Sequence, residues 1–409
     1  MRHFHRRIVG SVVVAGALAL SGCDSLLDVE LPGATTADAL DNPSFAVLLT
    51  NSVQGAYEDA FDGYVQNSAH LGGEIIGGFV EAGGAVWQQR NISEAASDYV
   101  SAAYAPMSVA RAMSDDVIRR LEGWTDAQVP NRGRLLGRNY LYAGFNYLMF
   151  GESMCSAAFD LGPEVLPPAM FALARDRFTK AVQLATAAND AETKNAANVG
   201  LARAQLALGQ NQAALATAQL VPAGFRKDVT RSSGAASRRN SLFVNINQVR
   251  RISVDPNYWN VQWMGVKDPR VPVANTGFRT TDGVTHLWTQ LKYANDGASY
   301  PLATYKDAQF IIAEIQGGPA AVAWINELHA AVGLAPFAGG TAQQIKDQLV
   351  EERRREFFLE GRRFGDLRRY GGFEVTKGQH PFTPITFGGI ECFPLPNVER
   401  FNNPTLSGD

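Results

Sequence analysis

The densest set of reactive side chains is EERRREFFLEGRRFGDLRRYGG, residues 351–372, in which five acids and seven arginines enclose Phe357, Phe358, Leu359, Phe364 and Leu367. Glu352, Glu356 and Glu360 recur at i, i+4 and i+8, one stripe on a single helix. Like charges at that spacing repel by roughly 0.2–0.5 kcal/mol per pair, so local helix stability does not explain them. They require cations from elsewhere. A di-metal carboxylate centre would supply these, but it needs a Glu-x-x-His partner that the chain lacks, and the adjacent arginines would repel the ions. A nucleic-acid helix would need a larger basic excess than the net +2 of this stretch. Arginine forks, which grip carboxylates bidentately, fit better. The stretch therefore reads as an internal ion-pair network of Glu352, Arg353, Glu356, Glu360, Arg363 and Asp366. The glutamates meet arginines, with Arg362, Arg363, Arg368 and Arg369 folding back after Gly361, and Phe357, Phe358 and Leu367 are buried.

Other chemistry fails on spacing. Beyond the first 23 residues the histidines are His70, His286, His329 and His380, never at i, i+4 and never beside a cysteine pair, so zinc signatures are absent. GESMC lacks the closing glycine of a nucleophile elbow. No phosphate-binding loop or dinucleotide glycine pattern occurs, and no metal or cofactor is expected. A glycosidase carboxylate pair needs only spatial proximity, so that class stays open.

The N-terminus carries a different kind of chemistry. MRHFHRR, then the apolar IVGSVVVAGALAL, then LSGC ending at Cys23 form the basic, apolar and small-residue order of an export signal. Leu20-Ser21-Gly22-Cys23 resembles the bacterial lipobox. That resemblance implies a leader over 1–22, acylation of Cys23 and membrane anchoring through the attached chains. Arg2, Arg6 and Arg7 leave with the leader, so 37 basic residues become 34 against 40 acidic ones, net −6. That balance is poor for nucleic-acid binding. Cys155 and Cys392 remain, and in an oxidising compartment they are expected to pair.

The elements that must position these residues are mostly helical. Thr36 or Asp38, and then Asn42-Pro43-Ser44, open helices, and FAVLLTNSVQGAYEDAF has helical apolar spacing. The glycine-rich residues 70–91 read as an irregular exposed segment. RGRLLGRNYLYAGFNYLMFGE is apolar all round and reads as a buried helix. Residues 169–190 place Phe171, Ala174, Phe178, Val182 and Leu184 or Ala185 on one stripe. Residues 194–210 and 211–222 form a hairpin about Gly209, similar to tetratricopeptide units. Residues 226–304 mix aromatics with Gly, Pro, Asp and Asn and read as loops with short strands. Helices return at 305–316 and 319–334, and Thr341 with Gln344 is a capping box. The expectation is a mainly α fold of tetratricopeptide-like hairpins with an irregular loop layer. A single domain over 23–409 has helical parts at about 36–225 and 305–370 and a loop-rich insert at about 226–304.

Taken in order along the chain, several segments resemble the SusD/RagB-like nutrient-uptake lipoproteins. Glu352-Arg353-Arg354, Glu356, Glu360-Gly361-x-Arg363 and Asp366-Leu367 match that family's C-terminal signature. CDSLLDVELPG, NYLYAGFNYLMFGE, AQFIIAEI with AVAWINELHAAVGL, and PLPNVERFNNPTL are similar to its other segments. The resemblance implies a helical, non-enzymatic lipoprotein of the outer membrane. It would capture oligosaccharide, or peptide, for a TonB-dependent transporter of the SusC type.

On that reading the ligand is held outside the signature. Sugars present apolar ring faces, which flat aromatic side chains with polar edges accept. The candidates are aromatics in irregular segments with their polar neighbours: Trp87 with Gln88, Arg90 and Asn91, then Tyr258, Trp259, Trp263 and Trp288. Two other classes remain open at this point, a helical-repeat scaffold that binds only protein and a glycan-cleaving enzyme on a helical frame.

Overall fold

The computed structural model describes residues 38–79 and 85–406. The expected leader at 1–22 and Cys23 lie outside the described residues. The chain divides into two compact units, Met1–Phe45 and Ala46–Asp409. The described part of the first is a pair of 3-10 turns, Asp38–Asp41 and Pro43–Phe45.

The second unit is built on α1 (Ala46–Leu71), α2 (Ala105–Gly123), α3 (Arg132–Ser153), α4 (Pro167–Ala187), α5 (Ala191–Ala207) and α6 (Asn211–Ala218). α3 is buried almost all round, as its unbroken apolar pattern requires. The buried stripe of α4 is Met170, Ala174, Phe178, Ala181 and Ala185. This differs from the expected stripe, since Phe171 and Val182 are only half-buried. Packing decides the difference: alanines on the inner face let α4 approach α3 closely, and the larger residues sit at its flanks. Phe178 is the exception, and glycines make room for it. A Cβ on Gly144 of α3 would fall 2.6 Å from its ring, and one on Gly200 of α5 would fall 2.2 Å away. Gly209, at φ +71°, turns α5 into α6 in the left-handed region that glycine enters freely.

A loop layer interrupts the helices, and its two ends are fastened together. β4 (Arg226–Val229) follows α6 and pairs antiparallel with β10 (Tyr300–Thr304), which leads into α7 (Tyr305–Gln316). Between them lie β5 (Ile252–Val254), the hairpin of β6 (Gln262–Trp263) with β7 (Val266–Lys267), and the hairpin of β8 (Val273–Arg279) with β9 (His286–Gln290). Strand β1 (Ile75–Gly77) pairs with β5, and β2 (Ala157–Ala158) pairs with β3 (Glu164–Val165). The first part of the glycine-rich segment is therefore not an exposed irregular one, because Leu71–Gly78 is buried, while residues 80–84 lie outside the described residues. Sequence-local patterning does not register a three-residue strand whose partner lies about 180 residues away.

After the layer, α7 and α8 (Gly318–Ala331) form a hairpin, and α9 (Ala342–Glu356) packs on both. Capping boxes start α7 at Thr304 and Asp307, and α9 at Thr341 and Gln344. Phe310, Trp324, Ile325, Leu328, Leu349 and Phe357 form the core of this half.

The charged stretch is the joint between the helices and the layer. α9 stops at Glu356, residues 357–361 turn with Leu359 at φ +58° and Gly361 at φ +72°, and α10 (Arg363–Tyr370) follows. Glu360 is thus not on the helix of Glu352 and Glu356. Phe357, Phe358, Leu359, Phe364 and Leu367 are buried. Glu352 sits between His329 of α8, at 2.9 Å, and Arg270 of the layer, at 2.6 Å. Arg270 also chelates Asp268, which Arg355 approaches at 3.3 Å. Burial pushes the Asp268 carboxyl up, but the Arg270 and Arg355 guanidiniums outweigh it and hold its pKa below the usual range.

Three expectations about the network are corrected. Glu356 meets Lys306, with Arg270 only at 3.9 Å, and Glu360 meets Lys292 at 2.6 Å. Two of the three glutamates therefore take lysine as the near partner, because the turn at 357–361 points Glu360 toward the loop layer. Arg363 makes no ion pair among the described residues, and its Nε is buried without a hydrogen-bond acceptor. Arg362 pairs with Asp307, Arg369 with Glu314, and Arg368 donates to the carbonyls of Gly151 and Met154. The folded-back arginines thus hold neighbouring helices and do not neutralise the glutamate stripe. Arg353 pairs with Asp366 at 2.7 Å. Cys155, just beyond α3, is joined to Cys392, with Cα atoms 5.0 Å apart, and the Cys155 N–H donates to the Phe393 carbonyl.

Candidate functional site

The loop layer gathers aromatic rings from three distant segments. Asp255 caps the 3-10 turn Pro256–Tyr258, its side chain accepting from the Asn257 N–H at 3.0 Å. Asp255 is held in turn by Arg90 at 2.8 Å. This turn delivers Trp259, whose indole N–H donates to the Val254 carbonyl at 2.8 Å and so fixes the ring plane. Trp288 stands on β9, where its backbone N–H donates to Ser253 Oγ and Ser253 donates to the His286 carbonyl. The two indoles lie 4.7 Å apart at 7°. Phe382, from the C-terminal loop, lies 5.8 Å from Trp259 at 16°, and His286 lies 5.0 Å from Phe382.

All four rings are half-buried, so each keeps part of its surface open to solvent. Asn257, beside them in the chain, is exposed. His380 is held by the Gly77 carbonyl at 2.9 Å, and burial lowers its pKa despite that bond, which keeps it neutral at neutral pH. Three of these rings, Trp259, Trp288 and Phe382, are near-parallel and partly open and can stack on apolar ring faces, with the His286 imidazole tilted beside them.

Not every aromatic expected to face a ligand does so. Trp87 is 5% exposed and packs edge-on against Tyr99 and Phe393. Arg90 is 2% exposed, spent on Asp255 and the carbonyls of Ile75 and Val375. Tyr258 is buried and stacks on Phe358 at 4.8 Å, with the Arg354 guanidinium over its ring. All three are core residues under the loops. Sequence irregularity marks the loop but not which side of it a ring faces. Trp263 donates from its indole to the Ala335 carbonyl at 2.7 Å and packs on His329, docking the β6–β7 hairpin on the turn after α8. Asn91 is exposed and lies against Gly388. Only Trp259 and Trp288 of the expected set come together. His286 and Phe382 went unrecognised, and the one available signal was their position in the same loop-rich segments.

Enclosed space lies elsewhere. A cavity of about 310 Å³ opens among α3, α4, α5, α7 and α10, and none of the four rings lines it.

Helical hairpins carrying a pinned loop layer define the class, a helical scaffold with a grafted irregular face. Residues 302–387 match the SusD family model. Over most of its length the chain superposes on solved SusD-type structures. One is a SusD superfamily protein from Bacteroides vulgatus, with TM-score 0.67, 15% identity, and 89% of this chain and 97% of that one covered. A SusD-like carbohydrate binding protein from the same organism gives TM-score 0.63 at 15% identity, with 80% and 83% covered. A laminarin binding SusD-like protein gives TM-score 0.61 at 15% identity, with 87% and 97% covered. No curated protein matches. The match to the SusD family model thus covers residues 302–387, and the fold is that of SusD-type structures.

Proposed function

We propose that this protein is a non-catalytic binding protein for oligosaccharide, holding sugar rings against Trp259, Trp288, Phe382 and His286. The near-parallel Trp259–Trp288 pair carries the reading, since stacking is the interaction a pyranose face offers and this pair is fixed before ligand arrives. The description of two structural relatives as carbohydrate and laminarin binding supports the ligand class. Anchored through an acylated Cys23 at the outer membrane, the protein would pass its ligand to a TonB-dependent transporter of the SusC type, with no bond broken.

Affinity electrophoresis and calorimetry against laminarin, other glucans and a peptide panel test the ligand. Binding to one glycan, weakened in Trp259→Ala and Phe382→Ala, is expected. Retention of full affinity in both variants, or binding of peptide alone, overturns it. Purification of the acylated protein from native membranes tests the handover, and recovery without any TonB-dependent partner counts against it.

A further inference from the structure

The cavity among the helices has a lining that its own ion pairs do not saturate. Five arginines border it, Arg203, Arg353, Arg362, Arg368 and Arg369, against three carboxylates, Glu152, Asp307 and Asp366. Three pairs account for those acids: Arg203 with Glu152, Arg353 with Asp366 and Arg362 with Asp307. Arg369 turns away to Glu314. Arg368 is left over. It has no carboxylate within ion-pair distance among the described residues and donates only through Nη1, to the Gly151 and Met154 carbonyls, leaving Nε and Nη2 free. Arg203 likewise uses only Nη2 on Glu152. Burial pulls the Arg368 pKa below its ordinary value, and Tyr64 and Glu152 restore only part of it.

The remaining wall is apolar, formed by Pro167, Phe171, Leu206 and Ile311. At about 310 Å³ the cavity lies at the small end of ligand pockets, which combine apolar walls with a few directed polar groups. We infer that this cavity is a second binding site, for a small organic carboxylate with an apolar body, its carboxylate bonded by the free donors of Arg368 and Arg203. Guanidinium forks match carboxylate geometry, and a partly desolvated cation without an ion-pair partner is where an anionic ligand gains most. Gly365 at the start of α10 and Gly151 at the end of α3 border the same space, so the site is built into the helical scaffold and shares no residue with the aromatic cluster. It does not rest on the glycan reading.

Calorimetry and ligand-observed NMR on the intact protein, with benzoate and hexanoate as probes and benzamide and hexanamide as neutral counterparts, test it. At least one carboxylate is expected to bind about tenfold or more tighter than its amide, because the amide leaves a guanidinium unpaired. Ala207→Phe fills the cavity from the half-buried lining position 207 without touching a charge, and should abolish that binding while leaving the Tm and the glycan affinity in place. Arg368→Gln should remove the preference for carboxylate over amide. Equal binding of acid and amide, no binding of either acid up to about 10 mM, a range that covers even weak recognition, or full binding in Ala207→Phe overturns the site.

Discussion

Arg270, on the loop layer, reaches Glu352 of α9 with Nη1 2.6 Å from Oε2, and neither side chain is more than 5% exposed. The contact is a close, buried ion pair. It ties the part of the chain that presents the aromatic rings to the most strongly charged helix. Removing one partner leaves the other buried with less compensation, Glu352 keeping His329 and Arg270 keeping Asp268. Arg270→Ala or Glu352→Ala should therefore cost about 3 kcal/mol, the low end for a broken buried pair, read by urea unfolding with the disulfide intact. Glu356→Ala should cost only about 1 kcal/mol or slightly more, because its partner Lys306 is half exposed. Equal losses at the two positions would contradict this ranking.

Trp87 and Trp259 should separate stability from binding. Trp87→Ala opens the core beside Tyr99 and Phe393 and should cost about 3–5 kcal/mol. Trp259→Ala removes a half-buried ring, and should weaken glycan binding by about five- to tenfold with a smaller loss of stability. Thermal unfolding and calorimetry on the same two variants check both halves.

Glu74 is fully buried, and desolvation raises its pKa to about 7 although Oε1 accepts from the Leu359 N–H at 2.7 Å. The folded state therefore holds this proton more tightly than the unfolded chain does. The stabilising effect of the proton is fully present below the unfolded value near 4.5, and is lost as pH rises to about 7. Glu74→Gln keeps the acceptor and removes the titration. Relative to the native protein it should gain stability between pH 4.5 and 7, by about 3 kcal/mol at most. A difference independent of pH over that window would contradict the assignment.

The disulfide closes a separation of 237 residues, between the end of α3 and the C-terminal segment. Peptide mapping without reductant should recover Cys155 and Cys392 linked. Replacing both by serine should lower stability by about 2–4 kcal/mol. The C-terminal segment should nonetheless stay docked, since the backbones of Ser153, Cys155 and Phe393 exchange hydrogen bonds of 2.8 Å.

Gly200 faces Phe178, so Gly200→Ala should destabilise by about 1–3 kcal/mol even though alanine is the better helix former. Gly55, with nothing near its missing Cβ, should tolerate the same change or gain from it. Parallel denaturant titrations of the two variants check the contrast.

The sequence by itself determined the helical class, the start of α9 at the Thr341 box, the burial of α3, the loop-rich insert and the family signature, because each is written in local spacing that folding does not alter. It also identified the charged stretch as structural, since a like-charge stripe cannot stabilise its own helix. What only the tertiary structure decided were the partners. Arg270, Lys292 and Lys306 reach the glutamates from chain segments about 50–85 residues away, and nothing in the local pattern of α9 points to them. The same holds for the rings. Trp87, Tyr258, Trp259 and Trp288 are alike as aromatic residues in irregular chain, yet the first two are sealed in the core and the last two are stacked and partly open. Which face of a loop a side chain takes is set by what packs beneath it. Here that is Phe358, Phe393 and the Arg90–Asp255 pair, brought together only when the layer closes on the helices.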